Sequence, residues 1–276
     1  MHPFFPPELE REIFETAAIA DEASIPILLR VCHRVRSWVE PLLYRVLIIY
    51  NEKDPYLLAL RSKSTGFKRN AVRHVFVDYD EPQMTPGVID VLSEFSGIES
   101  LVIDGYQEGN PPSSLDTLRP RRLSLWVPAD ASPWAQWALP RPLFSSVTHL
   151  ELYRGRTDER TSWEYWNTLA SLPALTHLCL VQSLAADILP EIMQHCSQLQ
   201  LAIVAFWNQS FSDEAVSFAH NLPVTDLRVV VMVPESIQDT WLKSIRGEPD
   251  FWKRAEAFVA QKRRREIEST SYFLDN

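Results

Sequence analysis

The chain has 276 residues, 46% hydrophobic and 23% charged, with a formal net charge of −9. These proportions suit a folded protein rather than a disordered one, and the acidic balance argues against a general nucleic-acid binder. Glycine is scarce at 7, proline reaches 20, and no two glycines have the spacing of a G-x-G-x-x-G or G-x-x-x-x-G-K-[ST] loop, so the usual nucleotide cradles are absent.

Residues 234–276 hold eight acids and eight bases, so the negative balance lies entirely in 1–233. Cys32, Cys179 and Cys196 are too few and too scattered for a disulfide framework or a zinc cluster, which fits a reducing compartment. The start reaches Glu8 before an apolar run develops, unlike a signal peptide. The uncharged stretch from Tyr165 to Ala186 contains Asn167, Thr176, His177 and Gln182, too polar for a membrane span. The expectation is a protein of the cytoplasm, the nucleus or both, with neither membrane nor nucleic acid as partner.

Taken in chain order, Pro6-Pro7-Glu8-Leu9 opens a first helix that places Leu9, Ile13 and Phe14 on one face. An apolar segment, Ile25 to Trp38, follows, and Val39-Glu40-Pro41-Leu42-Leu43-Tyr44-Arg45 runs without a linker into a strand-like phrase. A unit of about forty residues is marginal alone and needs the rest of the chain.

These residues resemble the F-box motif, L-P-x-E-(I/L)-x-x-x-I-(F/L), then an apolar helix ending V-C-(K/R/H)-x-(W/F/L), then P-L-L-(Y/W)-(R/K). Pro6, Glu8, Leu9, Ile13, Phe14, Leu28, Val31, Cys32, Arg34, Leu42, Leu43, Tyr44 and Arg45 match. Phe5 replaces the leading Leu, Val35 stands where a large residue belongs, and Pro26 shortens the second helix. The chain also looks like the divergent F-box-like proteins of mushroom-forming fungi. The resemblance implies binding of a Skp-type adaptor through Phe5, Pro6, Leu9, Ile13, Phe14, Leu28, Val31, Cys32, Leu42 and Leu43. Physically, the same apolar residues could instead only cap the structure that follows.

A short phrase with apolar residues two apart then recurs. It is seen at Val72–Val77, Ile98–Ile103, Pro120–Leu125, Val147–Leu152, Leu175–Leu180, Leu199–Val204 and Val224–Val229. Anchors at 75, 101, 123, 150, 178, 202 and 227 are spaced by 26, 22, 27, 28, 24 and 25, and Val46–Tyr50 is an eighth phrase centred on Ile48. Helical patterns lie between them at Pro86–Phe95, Trp163–Leu172 (after Asp158 and Thr161 as caps), Ile188–Cys196 and Asp213–Leu222. Units this small must stack to bury their apolar faces.

The phrase resembles the leucine-rich repeat, L-x-x-L-x-L followed by an Asn or Cys ladder. Leu175, Leu178 and Leu180 match it, and Val147, Leu150 and Leu152 match conservatively. Ser183 stands in place of the ladder Asn, and Asp104–Asn110 has no equivalent. The resemblance implies an irregular right-handed α/β solenoid, a curved parallel sheet with helices on its convex side. A flat doubly wound sheet is the rival, disfavoured by the near-constant spacing.

Strand alternation turns the residue before each anchor toward the concave face, so His74, His149 and His177 share a column, with His149 and His177 about 5 Å apart on neighbouring strands. Arg122 and Leu201 flank that pair, leaving a two-histidine metal site without a third ligand, and no metal or cofactor is expected. No G-x-S-x-G, H-E-x-x-H or C-x-x-C motif occurs, Cys32 and His33 point apart, and Asp78, Asp80 and Glu81 read as a solvated turn. No catalytic residue is expected, and the chain is not read as an enzyme. The concave face is the candidate surface for an unknown protein substrate, through His149, His177, Glu151, Trp126 and Tyr153. Trp126 could instead pack beneath the proline-rich segment Pro128–Pro142, which carries Trp134 and Trp137. Pro249–Ile267 reads as a helix closing the last repeat, and Lys262–Arg265 as its solvated basic face or an import signal.

The resulting organisation is a helical module over 1–45, the solenoid over 46–232 and a capping helix with tail over 233–276. The resemblances imply a substrate receptor of a cullin-RING (SCF-type) ubiquitin ligase. A non-catalytic repeat scaffold is the alternative.

Overall fold

The computed structural model describes residues 5–78, 87–105, 113–127, 141–154 and 162–275. Asp80, Glu81, Asp158, Thr161, Trp134, Trp137 and most of the proline-rich segment lie outside them.

The chain begins with α1 (Pro7–Ala20), where Pro7 sits in the first turn beside Glu8 and Glu10. Proline has no N–H to waste there, and acidic side chains suit the positive end of the helix dipole. Helices α2 (Ile25–Leu28) and α3 (His33–Val39) follow, and Glu40–Tyr44 forms a 3-10 turn. Ala18, Ile25, Val35 and Val39 are the core of this module, with Phe14, Leu28, Leu29, Trp38, Leu42 and Leu43 packed around them. Leu43 also packs against the main core, so the module is seated on the remainder of the protein.

Nine strands then build one sheet: β1 (Val46–Ile49), β2 (His74–Asp78), β3 (Ser100–Asp104), β4 (Arg122–Val127), β5 (His149–Arg154), β6 (His177–Val181), β7 (Leu201–Ala205), β8 (Val229–Met232) and β9 (Phe273–Leu274). Every neighbouring pair is parallel, and spatial order follows chain order from β1 to β9. The register aligns Leu47, Val75, Leu101, Leu123, Leu150, Leu178, Ala202 and Val229 in one row. A recurring backbone device sets this register. The carbonyls of Arg45, Arg73, Glu99, Arg121, Thr148 and Thr176 each accept the two consecutive N–H groups that enter the next strand, at 2.7–3.3 Å.

Two expected anchors are displaced. Leu47, not Ile48, stands opposite Val75, and Val229, not Leu227, stands opposite Ala202. At β8 the entry device is replaced by a local turn. Asp226 accepts from the Arg228 and Val229 backbone and pairs with the Arg228 guanidinium at 2.8 Å, which delays the strand and leaves Leu227 exposed.

On one side of the sheet the connections carry α4 (Pro55–Arg61), α5 (Thr65–Ala71), α6 (Gly87–Leu92), α7 (Gln182–His195) and α8 (Ser212–His220). The segments around Ser113–Thr117, Pro142–Phe144 and Trp163–Ser171 are 3-10 turns, although Trp163–Leu172 has a helical pattern in the sequence. Helix α7 begins six residues before the expected Ile188, because Leu184 and Ala185 are buried and extend its apolar face, and Pro190 lies in its interior. The row of strand anchors and residues such as Leu57, Phe95, Leu115, Phe144, Trp166 and Ile188 form one continuous core.

The second face of the sheet departs from expectation most. The last residues do not only close the end of the stack. Helices α9 (Ile237–Ile245) and α10 (Phe251–Arg264) lie across that face. Trp241 packs with Phe76 and Val102 among Val46, Ile48, Ile237 and Leu242, while Phe251, Trp252, Ala255 and Val259 pack on Cys179, Leu201, Ile203, Ala205, Val230 and Met232. The chain then returns as β9, which pairs with β8. Lys262 is buried in this layer, its Nζ donating to the Val229 carbonyl at 2.8 Å between the rings of Phe258 and Tyr272. Burial lowers its pKa to about 8, so the run from Lys262 to Arg265 is not a uniformly exposed basic face.

One position tests the close stacking of neighbouring units. A Cβ built on Gly97 would lie 1.9 Å from the carbonyl oxygen of Arg69 in α5, a contact that only backbone movement can relieve. Gly97→Ala is expected to cost roughly 1–3 kcal/mol, read as a lower urea midpoint, and an unchanged midpoint would show that α5 is free to move.

Candidate functional site

Two places combine side chains in ways that the fold alone does not require. The first is the outer surface of the helical module. Leu9 and Ile13, one turn apart on α1, are 47% and 53% exposed, and Val31 is 54% exposed. Phe5, Pro6 and Cys32 are exposed as well. Of the ten residues expected to meet a partner, Phe14, Leu28, Leu42 and Leu43 instead face the module's own core. The sequence reading misses Ile27, 70% exposed, and Ile19. Ile27 is legible afterwards as the residue one turn before Val31, beside the Pro26 that leaves α2 only four residues long. Glu10 of α1 pairs with Arg34 at the start of α3, which fixes the two helices beside this apolar surface. A cleft of about 890 Å³ opens on another side of the module, between Ile19, Arg45, Tyr50 and Tyr56 and the α9 residues Leu242 and Ile245.

The second place is the polar seam between the sheet and α9–α10. Here the expected partner surface is corrected. Tyr153 and His177 are buried, while His149, Glu151 and Trp126 are half-buried. Trp126 and Tyr153 do stand side by side in register, and Tyr153 packs against Trp207 at 5.2 Å. The face is occupied because its strands are apolar on both sides, a pattern that demands cover.

Several polar residues of that face meet a partner from the covering layer. Trp241 Nε1 donates to Ser100 Oγ at 2.9 Å. Arg122 Nη1 pairs with Asp250 Oδ2 at 2.9 Å and also contacts Ser244 Oγ. Asp250 in turn caps α10 by accepting from the Lys253 N–H. Glu151 accepts from Ser124 Oγ at 2.9 Å, from Trp252 Nε1 at 3.0 Å and from Tyr153 Oη. Burial raises the pKa of the Glu151 carboxyl, and the three donors oppose that rise.

Beside this network the imidazoles of His149 and His177 stack at 4.1 Å, only 7° from parallel, under the edge of Trp252. Their Nδ1 atoms lie 2.9 and 2.8 Å from the hydroxyls of Thr148 and Thr176. His177 Nε2 is 3.0 Å from Glu256 Oε1 of α10. The third donor that the sequence column lacks thus comes from a segment more than seventy residues downstream, and the three ligand atoms lie within 4.8 Å of one another. Burial, then the neighbouring His177, lowers the pKa of His149 to about 3, and burial lowers that of His177 against the pull of Glu256.

Comparison of the sequence with models of protein families and with curated proteins finds no match. Among the described residues no helix is long and apolar enough to cross a membrane.

Two measurements probe the seam. Trp252→Phe keeps an aromatic ring but leaves Glu151 short of a donor, at an expected cost of about 1–3 kcal/mol in a urea titration; equal midpoints would mean that Ser124 and Tyr153 suffice. His74 sits on the same face among Arg45, Arg73, Arg122 and Glu99, its Nδ1 without a hydrogen-bond partner, and burial followed by Arg45 lowers its pKa to about 4. The unfolded chain takes up this proton near pH 6.5, so the stability His74 contributes is present above that pH and is lost as the pH falls through about 4. His74→Leu should flatten the fall of the urea midpoint over that window, and an identical slope would assign the acid sensitivity to other groups.

Proposed function

We propose that the chain is a substrate receptor of a cullin-RING (SCF-type) ubiquitin ligase, with the helical module binding a Skp-type adaptor. In this reading the stacked strands are an irregular leucine-rich-repeat solenoid that carries the protein substrate. The observation that carries the proposal is the double apolar character of residues 5–45. One set of side chains, Ala18, Ile25, Val35 and Val39, already fills the module's core. A second set, Leu9, Ile13, Ile27 and Val31, is left in water. A segment whose only task is to cap the solenoid has no use for the second set, whereas a helix-docking interface is made of such anchors. The parts of the F-box pattern that are buried, Phe14, Leu28, Leu42 and Leu43, build the module, and those that are exposed are free to meet the adaptor. Because α9 and α10 cover the sheet face, this reading assigns substrate capture to another surface of the solenoid.

The test pairs two variants in size-exclusion co-purification with a Skp-type adaptor. Ile13→Asp should fold normally yet weaken the complex on the order of thirtyfold, the factor carried by a hot-spot anchor of about 2 kcal/mol. Ile25→Asp, in the core, should lose the module's fold. A wild-type chain that forms no complex, or an Ile13→Asp variant that binds as well as wild type, would leave the module as a cap only.

A further inference from the structure

We propose that His149, His177 and Glu256 form a binding site for one divalent transition-metal ion of the zinc class, joining β5 and β6 to α10. Each imidazole has a threonine hydroxyl beside its Nδ1. The hydroxyl of Thr148 donates to the Arg121 carbonyl at 3.1 Å, and that of Thr176 donates to the Thr148 carbonyl at 3.2 Å. Where a hydroxyl donates to its carbonyl, it accepts at the neighbouring ring from an Nδ1–H. With the protons on Nδ1, the two Nε2 atoms present bare lone pairs, the tautomer that ligates metals.

A carboxylate of α10 stands beside the pair. Glu256 Oε1 lies 3.0 Å from His177 Nε2, a separation that an Nε2–H donating to the carboxylate spans without an ion and that places the carboxylate beside the imidazole as a third ligand when one binds. A metal ion satisfies both imidazoles and the carboxylate together. Arg122 on the same face has its charge balanced by Asp250 at 2.9 Å.

Two imidazole nitrogens and one carboxylate form a donor set typical of zinc with an open fourth position. With bonds of about 2.0–2.2 Å, tetrahedral ligand atoms stand roughly 3.3 Å apart. The three donor atoms here lie within 4.8 Å of one another, and because stacked parallel rings aim their in-plane lone pairs side by side, binding one ion requires the imidazoles to turn out of the stack about their soft outer torsion. Trp252, one turn before Glu256 on α10, walls the site with its ring edge, while the Glu256 side chain remains 48% exposed and leaves the fourth position to water. The ion would fasten the covering helix to the sheet, so its binding free energy would add to the stability of the layer that buries the second face.

The experiment uses the full chain, untagged and stripped with a chelator. Zinc is titrated by calorimetry, cobalt(II) by visible absorption, and thermal unfolding is followed with and without zinc. Expected are one equivalent bound, the absorption of four-coordinate cobalt, and a zinc-dependent rise in Tm. Glu256→Gln, at an exposed position, should fold as wild type yet lose at least about tenfold in affinity and most of the Tm rise, and His149→Asn should lose more. Absence of saturable zinc binding in wild type, or binding unchanged in Glu256→Gln, overturns the site. Should His149→Asn fail to fold, Glu256→Gln alone decides.

Discussion

A strand inside a parallel sheet has two faces to remove from water, and in this protein the second face is covered by α9 and α10 through Trp241 and Trp252. The first face is satisfied locally, because each connection brings its own apolar residues back onto the strand it follows. The second has no such local supply. Phe76, Val102, Cys179, Ile203 and Val230 would stand in water without the final forty or so residues, and a surface of that size is not left open by a stable protein. The C-terminal layer is therefore a requirement of the sheet rather than an addition to it.

Covering a face that also contains Ser100, Arg122, Ser124, His149, Glu151 and His177 imposes a further condition. A buried polar group costs free energy unless it is paired, so the covering helices must carry partners as well as apolar bulk. Trp241 and Trp252 meet both demands, each giving a large apolar ring and one N–H donor. Asp250 does so in another way, capping α10 while neutralising Arg122. The same condition brings Glu256 to the histidine pair, where the proposed metal ion would join all three side chains.

The helical module obeys the opposite logic. It has enough apolar residues for its core and several left over, and those left over lie on its outer side. In the sheet the apolar residues of the second face that are described, such as Phe76, Val102, Ile203 and Val230, are covered by the chain itself; in the module Leu9, Ile13, Ile27 and Val31 are not. That contrast supports an external partner for residues 5–31, and it is independent of any resemblance to a family.

Much of this was legible in the sequence because it depends on local pattern. Apolar residues two apart at intervals of 22 to 28 are enough to place the strands from β2 to β7 and the row from Val75 to Ala202, since pleat alternation and unit length are local properties. The pairing of His149 with His177 followed from the same arithmetic. The shift of β8 did not, because it turns on the bond between Asp226 and Arg228, which competes with the strand entry. Nor did the cover of the second face. Its signal was present in the apolar run of Phe76, Val102, Cys179 and Ile203, but such a column is equally consistent with a docking surface. What occupies it depends on how a helix from residue 251 onward crosses strands laid down a hundred residues earlier. Sequence spacing by itself determines which residues share a strand face. Only the tertiary structure decides which distant segment buries that face, because burial is a property of the whole chain's surface and not of any window along it.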